Sequence, residues 1–525
     1  MTPPPKSVLE QPDAAAVTVD VPPSGLTRPQ DDRGFFGHPR GLSTLFFTEM
    51  WERFSYYGIR PMLVLFMTAA LAAGGFGFDR PVASSIVGIY AGSVYLASLP
   101  GGWIADRWLG LRRAIWYGGL FIAMGHISIA TSYFFGRPMF FLGLVLIVLG
   151  TGLLKPNISA IVGDLYPEGG ARRDAGFSIF YMGINLGATL GPLITAWLRV
   201  RSGWHIGFGA AGVGMLIGVF TYRARAGSTL GPFGLKPSGT ASQQQTVKRV
   251  VLGALVVMAA IFLLVLTGVL PIRAVALAQQ MRNIELGMAA VYFAYLFFFA
   301  GLTSDELKRV AVIIVLFVFA TIFWSAFEQA PTSLNLFAQD FTNRVIFGYE
   351  IPPEWLQVVN SFFVITFAPV FAWLWVALAK RGLDLSSPTK FAFGLLLAGL
   401  GFLIMVPAAN AVIAGGGAGI RVSIWWLSVS YLLQTFGELS LSPVGLSSMT
   451  KLAPRKFVGQ MMGVWFLAAS LGNVIAGIVG GHVDPEKLQE MPALFQQTAM
   501  SLLVAAALCG LLVVPIRRMM RSAPT

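Results

Sequence analysis

The chain has 525 residues, of which 55% are hydrophobic and 12% charged, with a mean hydropathy of +0.70. Soluble domains carry roughly 25% charged residues, so the composition excludes a soluble protein and points to an all-α polytopic membrane protein. The formal net charge of +13 does not argue for nucleic acid, because the basic residues fall in short clusters between apolar segments and track membrane topology. A single cysteine, Cys509, excludes an intrachain disulfide and a thiolate metal site.

Residues 1–40 are rich in Pro, Ala and Asp and contain no apolar run, so they are expected to form a disordered cytoplasmic tail and not a cleaved signal. Fourteen apolar segments follow, starting near Gly41, Ala83, Ala114, Met139, Ala175, Gly203, Val250, Leu286, Val310, Glu354, Phe391, Ser423, Phe457 and Thr498. Basic clusters such as Arg112/Arg113, Arg172/Arg173, Arg223/Arg225, Lys308/Arg309, Lys380/Arg381 and Arg517/Arg518 recur after every second segment. The positive-inside rule then places both termini in the cytoplasm. The organisation reads as a six-helix bundle over 41–225, a Gly-, Ser- and Gln-rich cytoplasmic linker over 226–249, a two-helix insertion over 250–303, a second six-helix bundle over 304–520 and a cytoplasmic tail over 521–525. Apart from Glu285 at the edge of the second, the insertion's two apolar segments hold no charge, which suggests a peripheral hairpin without chemistry.

The first segment carries a charged stripe. Glu49, Glu52, Arg53 and Arg60, with Tyr56 and Tyr57 between them, share one helical face. A charge at the bilayer centre costs at least about 2.5 to 3.5 kcal/mol, so this face belongs against a polar cavity and not against lipid. Mutual neutralisation of Glu49 and Arg53 at i, i+4 would leave Glu52 and Arg60 unexplained.

After the second segment, GGWIADRWLGLRR at 101–113 resembles the loop that the major facilitator superfamily carries between its second and third helices. The third segment holds a lone histidine, His126, read as a packing residue. In the fourth, Lys155 lies deep in an apolar span and needs a partner; Pro156 follows it. In the fifth, Gly183, Gly187 and Gly191 at four-residue spacing indicate close helix packing beside Asn185. The ninth places Glu328 alone in an apolar stretch, one turn from Trp324, with Asp340 further out; the tenth contributes Asn360; the twelfth places Glu438 in mid-span ahead of Pro443. A cation in the fourth helix and an anion in its counterpart suit an ion pair across a cavity between two related halves.

Glu49-Met-Trp-Glu52-Arg53-Phe-Ser-Tyr56-Tyr57, then GTGLLKPNIS from Gly150, FSIFYMGINLGA from Phe177, FEQ from Phe327 and GELSLSPVGLSS from Gly437 resemble, in order, the motifs of the proton-dependent oligopeptide transporter (POT) family of the major facilitator superfamily. The extra hairpin looks like that of fourteen-helix bacterial members. The chain departs from the pattern at Thr151, where Asn is expected, and at Pro61, which is expected to kink the first helix. The resemblance implies the major facilitator fold, two six-helix bundles plus a two-helix central insertion, working as a rocker-switch symporter that imports di- and tripeptides with protons across a bacterial inner membrane. It implies a monomer, with no cofactor beyond the proton as coupling ion and no metal.

By the same resemblance, Arg60 and Lys155 would face the peptide carboxylate. Glu438, Asn185 and Asn360 would hold its amino group, and Tyr56, Tyr57, Tyr95, Trp324 and Trp465 would line the side-chain pockets. A zwitterion with variable side chains needs one fixed positive end, one fixed negative end and adaptable aromatic walls. Glu49, Glu52, Arg53 and Glu328 would carry proton coupling, with Glu328 releasing Arg60 on protonation. Arg80 with Asp340 would close the outside, and Lys155 with Glu438 would link the halves through the substrate.

An intramembrane enzyme finds no support, since HExxH, GxSxG and P-loop patterns are absent. Gly207, Gly209 and Gly212 match GxGxxG only inside an apolar span with no preceding strand. Within transport, nitrate or another small anion has no use for Glu52 and Glu438, and a drug/proton antiporter is a further alternative. A peptide sensor that binds without transporting is the remaining one.

Overall fold

The computed structural model describes residues 32–383, 385–417 and 419–521. Fourteen helices in chain order are α1 (Arg40–Thr68), α2 (Arg80–Ile104), α3 (Leu111–Phe135), α4 (Arg137–Asp164), α5 (Gly170–Ser202), α6 (Trp204–Thr229), α7 (Ala241–Leu266), α8 (Ala274–Phe298), α9 (Ser304–Phe341), α10 (Val358–Lys380), α11 (Ser387–Ala414), α12 (Trp425–Leu452), α13 (Val458–Gly480) and α14 (Glu490–Arg521). Eleven are apolar and long enough to cross a bilayer by composition alone; α1, α8 and α12 are the three that are not. α9 passes through a wide turn at Ala330–Leu334, just after Glu328, and α11 shifts register between Leu403 and Met405.

Local chemistry sets these boundaries. Gly136 and Gly203, at φ 73° and 91°, let α3 turn into α4 and α5 into α6 with no intervening loop. Thr240 with Gln243, and Thr303 with Glu306, form capping boxes that start α7 and α9. α1 runs unbroken through Pro61, whose carbonyl accepts a 2.7 Å bond from Asn335 Nδ2.

α1–α6 pack among themselves, as do α9–α14. The halves meet mainly where α2 lies on α13 and α5 on α10. Small residues make the close approaches. A Cβ on Gly187 would fall 2.2 Å from the Met50 carbonyl oxygen, and one on Gly191 would fall 2.5 Å from that of Phe54, so the α5 glycine ladder lets it lie directly on α1. Between the halves, a Cβ on Gly88 would fall 2.7 Å from the Gly477 Cα. We call the end where α1 begins the near end and the end where it finishes the far end. Two short β pairs sit at the far end: Thr342–Asn343 with Val422–Ser423, and Val345–Ile346 with Tyr349–Glu350.

The insertion differs from a plain peripheral hairpin. α7 is peripheral, with Val247 its one buried residue. α8 begins at Ala274, twelve residues before Leu286, packs against α2, α9 and α13, and buries Glu285. Its polar first half, with Gln279, Gln280, Arg282 and Asn283, hides it from an apolar-run search. Part of the expected tail is folded as well. Phe35 and His38 bridge each other, and His38 Nδ1 lies 2.9 Å from the Tyr166 hydroxyl. Residues 1–31 and 522–525 lie outside the described residues. The linker from the first half to the insertion is shorter than 226–249, because α6 reaches Thr229 and α7 starts at Ala241.

Candidate functional site

The charged stripe of α1 is buried and faces the interior. Arg53 Nε sits 2.8 Å from Glu49 Oε1 and 2.6 Å from Glu52 Oε2, with Glu52 fully buried. Two carboxylates around one guanidinium sum to one negative charge when all are ionised, so the cluster calls for one more positive charge. One turn on, Tyr56 lies between the Arg53 and Arg60 guanidinium groups, each 5.8 Å from its ring centroid, and its ring stacks on Tyr90 at 6.2 Å.

Arg60 crosses from the first half to the second. Its Nη2 donates to Glu328 Oε2 on α9 and, at 3.0 Å, to Asn473 Oδ1 on α13. The wide turn beginning at Ala330 breaks α9 just after Glu328, which exposes its carboxylate to the interface of the halves.

Around this pair lies a cavity of about 140 Å³. The first half lines it with Tyr57, Arg60 and Tyr95, and the second half with Trp324, Phe327, Glu328, Asn360 and Glu438. Gln357, Tyr431 and Gln434 complete a polar wall. Glu438 Oε2 accepts from Asn360 Nδ2 at 3.3 Å, and the same amide donates to Thr435 Oγ1 at 2.9 Å. Lys155 does not pair with Glu438; its Nζ lies 4.2 Å above the centre of the Tyr95 ring. Among the described residues, then, a cation and an anion from opposite halves stand without each other as partner.

Four residues of the expected site lie outside the cavity lining, Lys155 behind the Tyr95 ring among them. Asn185 donates its amide to the Tyr181 carbonyl at 3.0 Å, on its own helix, and does not line the cavity. Tyr56 is 4% exposed and lies behind the cavity wall. Trp465 is buried with its ring against Gly445, where an added Cβ would fall 2.2 Å from it. A much larger groove, about 1310 Å³, opens on the outer surface of the first bundle between exposed apolar residues such as Ile206, Val213 and Phe134. It holds no ion pair, and lipid is its natural filling in a bilayer.

Every ion pair between the halves lies in the far half, among the described residues. Arg80 Nη1 is 2.7 Å from Asp340 Oδ2 and also donates to the Val483 carbonyl at 2.7 Å. A further pair was not anticipated from the sequence: Arg199 on α5 binds Glu354, ahead of α10, through Nε–Oε1 at 2.7 Å and Nη2–Oε2 at 2.9 Å. Its fork geometry is the strong, bidentate kind, and Glu354 is fully buried. Beside it Trp355 Nε1 donates to the Leu193 carbonyl at 3.1 Å. Both charges sit at span ends, where a sequence reading takes a charge for loop polarity; Gln357, Tyr431, Gln434 and Asn473 are uncharged and left no mark beyond polarity in mid-span.

The POT family model matches residues 112–494. The peptide transporter YePEPT of Yersinia enterocolitica subsp. palearctica is 51% identical over 496 residues, covering 93% of this chain and 97% of that one. A di-/tripeptide transporter of Lactococcus lactis subsp. cremoris is 38% identical over 457 residues, covering 85% and 89%. Among solved structures, the peptide transporter POT in complex with sulfate is similar at a TM-score of 0.85 and 39% identity, covering 94% of this chain and 99% of that one. A POT family transporter in complex with a thioalcohol-conjugated peptide is similar at 0.84 and 34%, covering 93% and 100%.

Proposed function

The chain belongs to the POT family, and from that premise and the geometry of its cavity we propose that it is a proton-coupled symporter importing di- and tripeptides by alternating access. The observation that carries the reading is the cavity between the halves, with Arg60 and Glu328 paired across it, Glu438 without an ion-pair partner in its second-half wall, and Lys155 without one behind the Tyr95 ring of its first-half wall. An extended zwitterion satisfies both free charges at once. Its carboxylate goes to Arg60 and Lys155, and its amino group to Glu438 and Asn360. Tyr57, Tyr95 and Trp324 supply walls that accept side chains of different shape.

In this conformation the far end is latched by Arg80–Asp340, Arg199–Glu354 and Arg60–Glu328. Basic clusters at the near end support a cytoplasmic assignment for it, so the state corresponds to one closed to the outside. Protonating Glu328 removes the anion that holds Arg60. The guanidinium is then free for a peptide carboxylate, and one of the three far latches is lost, which couples proton and peptide to opening. The buried Glu49/Glu52 cluster around Arg53, short of one positive charge, is the second place that accepts a proton, or else the charge of Lys155. A single chain supplies all of these groups, which supports a monomer as the working unit in a bacterial inner membrane.

The Glu328→Gln substitution tests the coupling. It keeps the shape and a weaker hydrogen bond to Arg60 but cannot titrate. Gradient-driven peptide accumulation should be abolished while peptide exchange across the membrane persists. Accumulation that survives the substitution would assign coupling to another carboxylate.

A further inference from the structure

Ser470 of α13 sits where three helices meet. Its Oγ lies 2.8 Å from the Gly92 carbonyl oxygen of α2 and 2.7 Å from Oε1 of Glu285 on α8. Ser470 is 0% and Glu285 1% exposed. The seam is tight here, since a Cβ on Gly92 would fall 3.0 Å from the Ser470 carbonyl oxygen.

A hydroxyl has one proton to give, and the Gly92 carbonyl can only accept. Were Glu285 an anion, it too could only accept, and one of the two short contacts would set lone pairs against each other between two fully buried side chains. Both contacts are satisfied together when Glu285 carries a proton. Its O–H then donates to Ser470 Oγ, and the Ser470 O–H donates on to Gly92. The surroundings agree. Glu285 Oε2 is buried with no hydrogen-bond partner among the described residues, and an anion left so would be costly.

Among the described residues Glu285 makes no ion pair; the nearest charges along the packed helices are Arg282, one turn before it, and the Arg60–Glu328 pair, which reaches α13 at Asn473, one turn from Ser470. From α2, the only titratable groups between Pro81 and Ile104 are Tyr90 and Tyr95, which turn to Tyr56 and Lys155. α13 has none from Val458 to Gly480, and the charges of α9 ahead of its far half, Asp305 to Arg309, sit in its first turns. On α8 itself, Arg282 donates to Asn283, and Tyr292 donates to Gln460.

We propose that Glu285 is a proton-binding site outside the central cavity, whose proton bridges the inserted hairpin to the α2–α13 seam and stabilises the zipped far half. The step is a simple protonation: the carboxylate takes one proton from solvent as the seam closes and returns it as the seam parts. Because α2 and α13 belong to opposite halves, binding the proton and zipping the seam must favour each other equally. The insertion thereby becomes a sensor of proton availability that acts on alternation without touching substrate.

The test uses the full-length protein in lipid and two variants. Glu285→Gln keeps a donor toward Ser470 but cannot titrate, and Ser470→Ala cuts the bridge. At neutral pH, the infrared carbonyl stretch of one protonated carboxyl should be lost in Glu285→Gln and shifted in Ser470→Ala; spectra with no such loss overturn the proposal. Spin labels on Leu71→Cys and Phe347→Cys, in a Cys509→Ala background, then report the far-end distance. Raising the pH strengthens the Arg60–Glu328 latch but takes the proton from Glu285, so the closed fraction at high pH should be lower in the parent than in Glu285→Gln, while identical pH profiles overturn the role in zipping. Neither readout needs peptide or a gradient, so its failure is distinguishable from failure of the symport reading.

Discussion

A guanidinium taken out of water costs several kcal/mol before any attraction is counted, so each buried arginine must be matched by an acid and by further hydrogen bonds. Arg53 meets this with two carboxylates on its own helix, and Arg60 with Glu328 and Asn473 from the other half. The difference matters for function. The Arg53 cluster holds together whatever the halves do, whereas the Arg60 pair exists only while they are closed at that level. At the near end, His38 shows the same logic in a position open to solution chemistry. Burial, then Arg172 and Arg33, hold its pKa below the usual 6.5. Burial pushes the Tyr166 phenol up to about 12, so it keeps its proton, and its hydroxyl lies 2.9 Å from His38 Nδ1. A histidine whose folded pKa is depressed contributes stability that is complete above its unfolded value and lost as pH falls through the folded one. Amide exchange over residues 32–40, corrected for intrinsic rates, should therefore quicken between neutral and mildly acidic pH, and His38→Gln should flatten that response. An unchanged profile in the parent protein would mean that the contact does not respond to protons.

At the scale of elements, glycine placement separates what must stay together from what must part. The α5 ladder on α1 lies within one half, and the Gly88–Gly477 contact lies between halves. Gly187→Ala pushes a methyl into the α1 backbone and should lower thermal stability, by about 1–3 kcal/mol if it follows other overpacked sites. Gly88→Ala should instead reduce the far-closed population, read from the same spin-label distance, with a smaller loss of thermal stability. The reverse ranking would contradict this division of labour. The ladder and the stripe of α1 were legible in the sequence because each repeats at helical spacing. α8 was not, because its polar first half interrupts the apolar run and its carboxylate is hidden only once α2 and α13 close over it. The Arg199–Glu354 latch was likewise invisible, since the two residues lie 155 positions apart and each looks like an ordinary loop charge. Trp465 is the converse case: an aromatic in a family-like position whose ring packs on Gly445, outside the cavity lining.

For the whole molecule, the halves are joined by three far-end ion pairs and a glycine seam, with unpaired Lys155 and Glu438 below them. That distribution is asymmetric: closing the near end needs new contacts, which in the proposed mechanism a bound zwitterion bridging Lys155 and Glu438 would supply. Transport then follows from peptide and proton each favouring a different set of contacts, which is the requirement for coupling. The most direct test is uptake of labelled dialanine into proteoliposomes under an inward proton gradient and an inside-negative potential. Accumulation above the outside concentration that collapses with a protonophore is the predicted result; saturable dialanine binding without gradient-driven uptake would contradict symport and leave a protein that senses peptides without moving them.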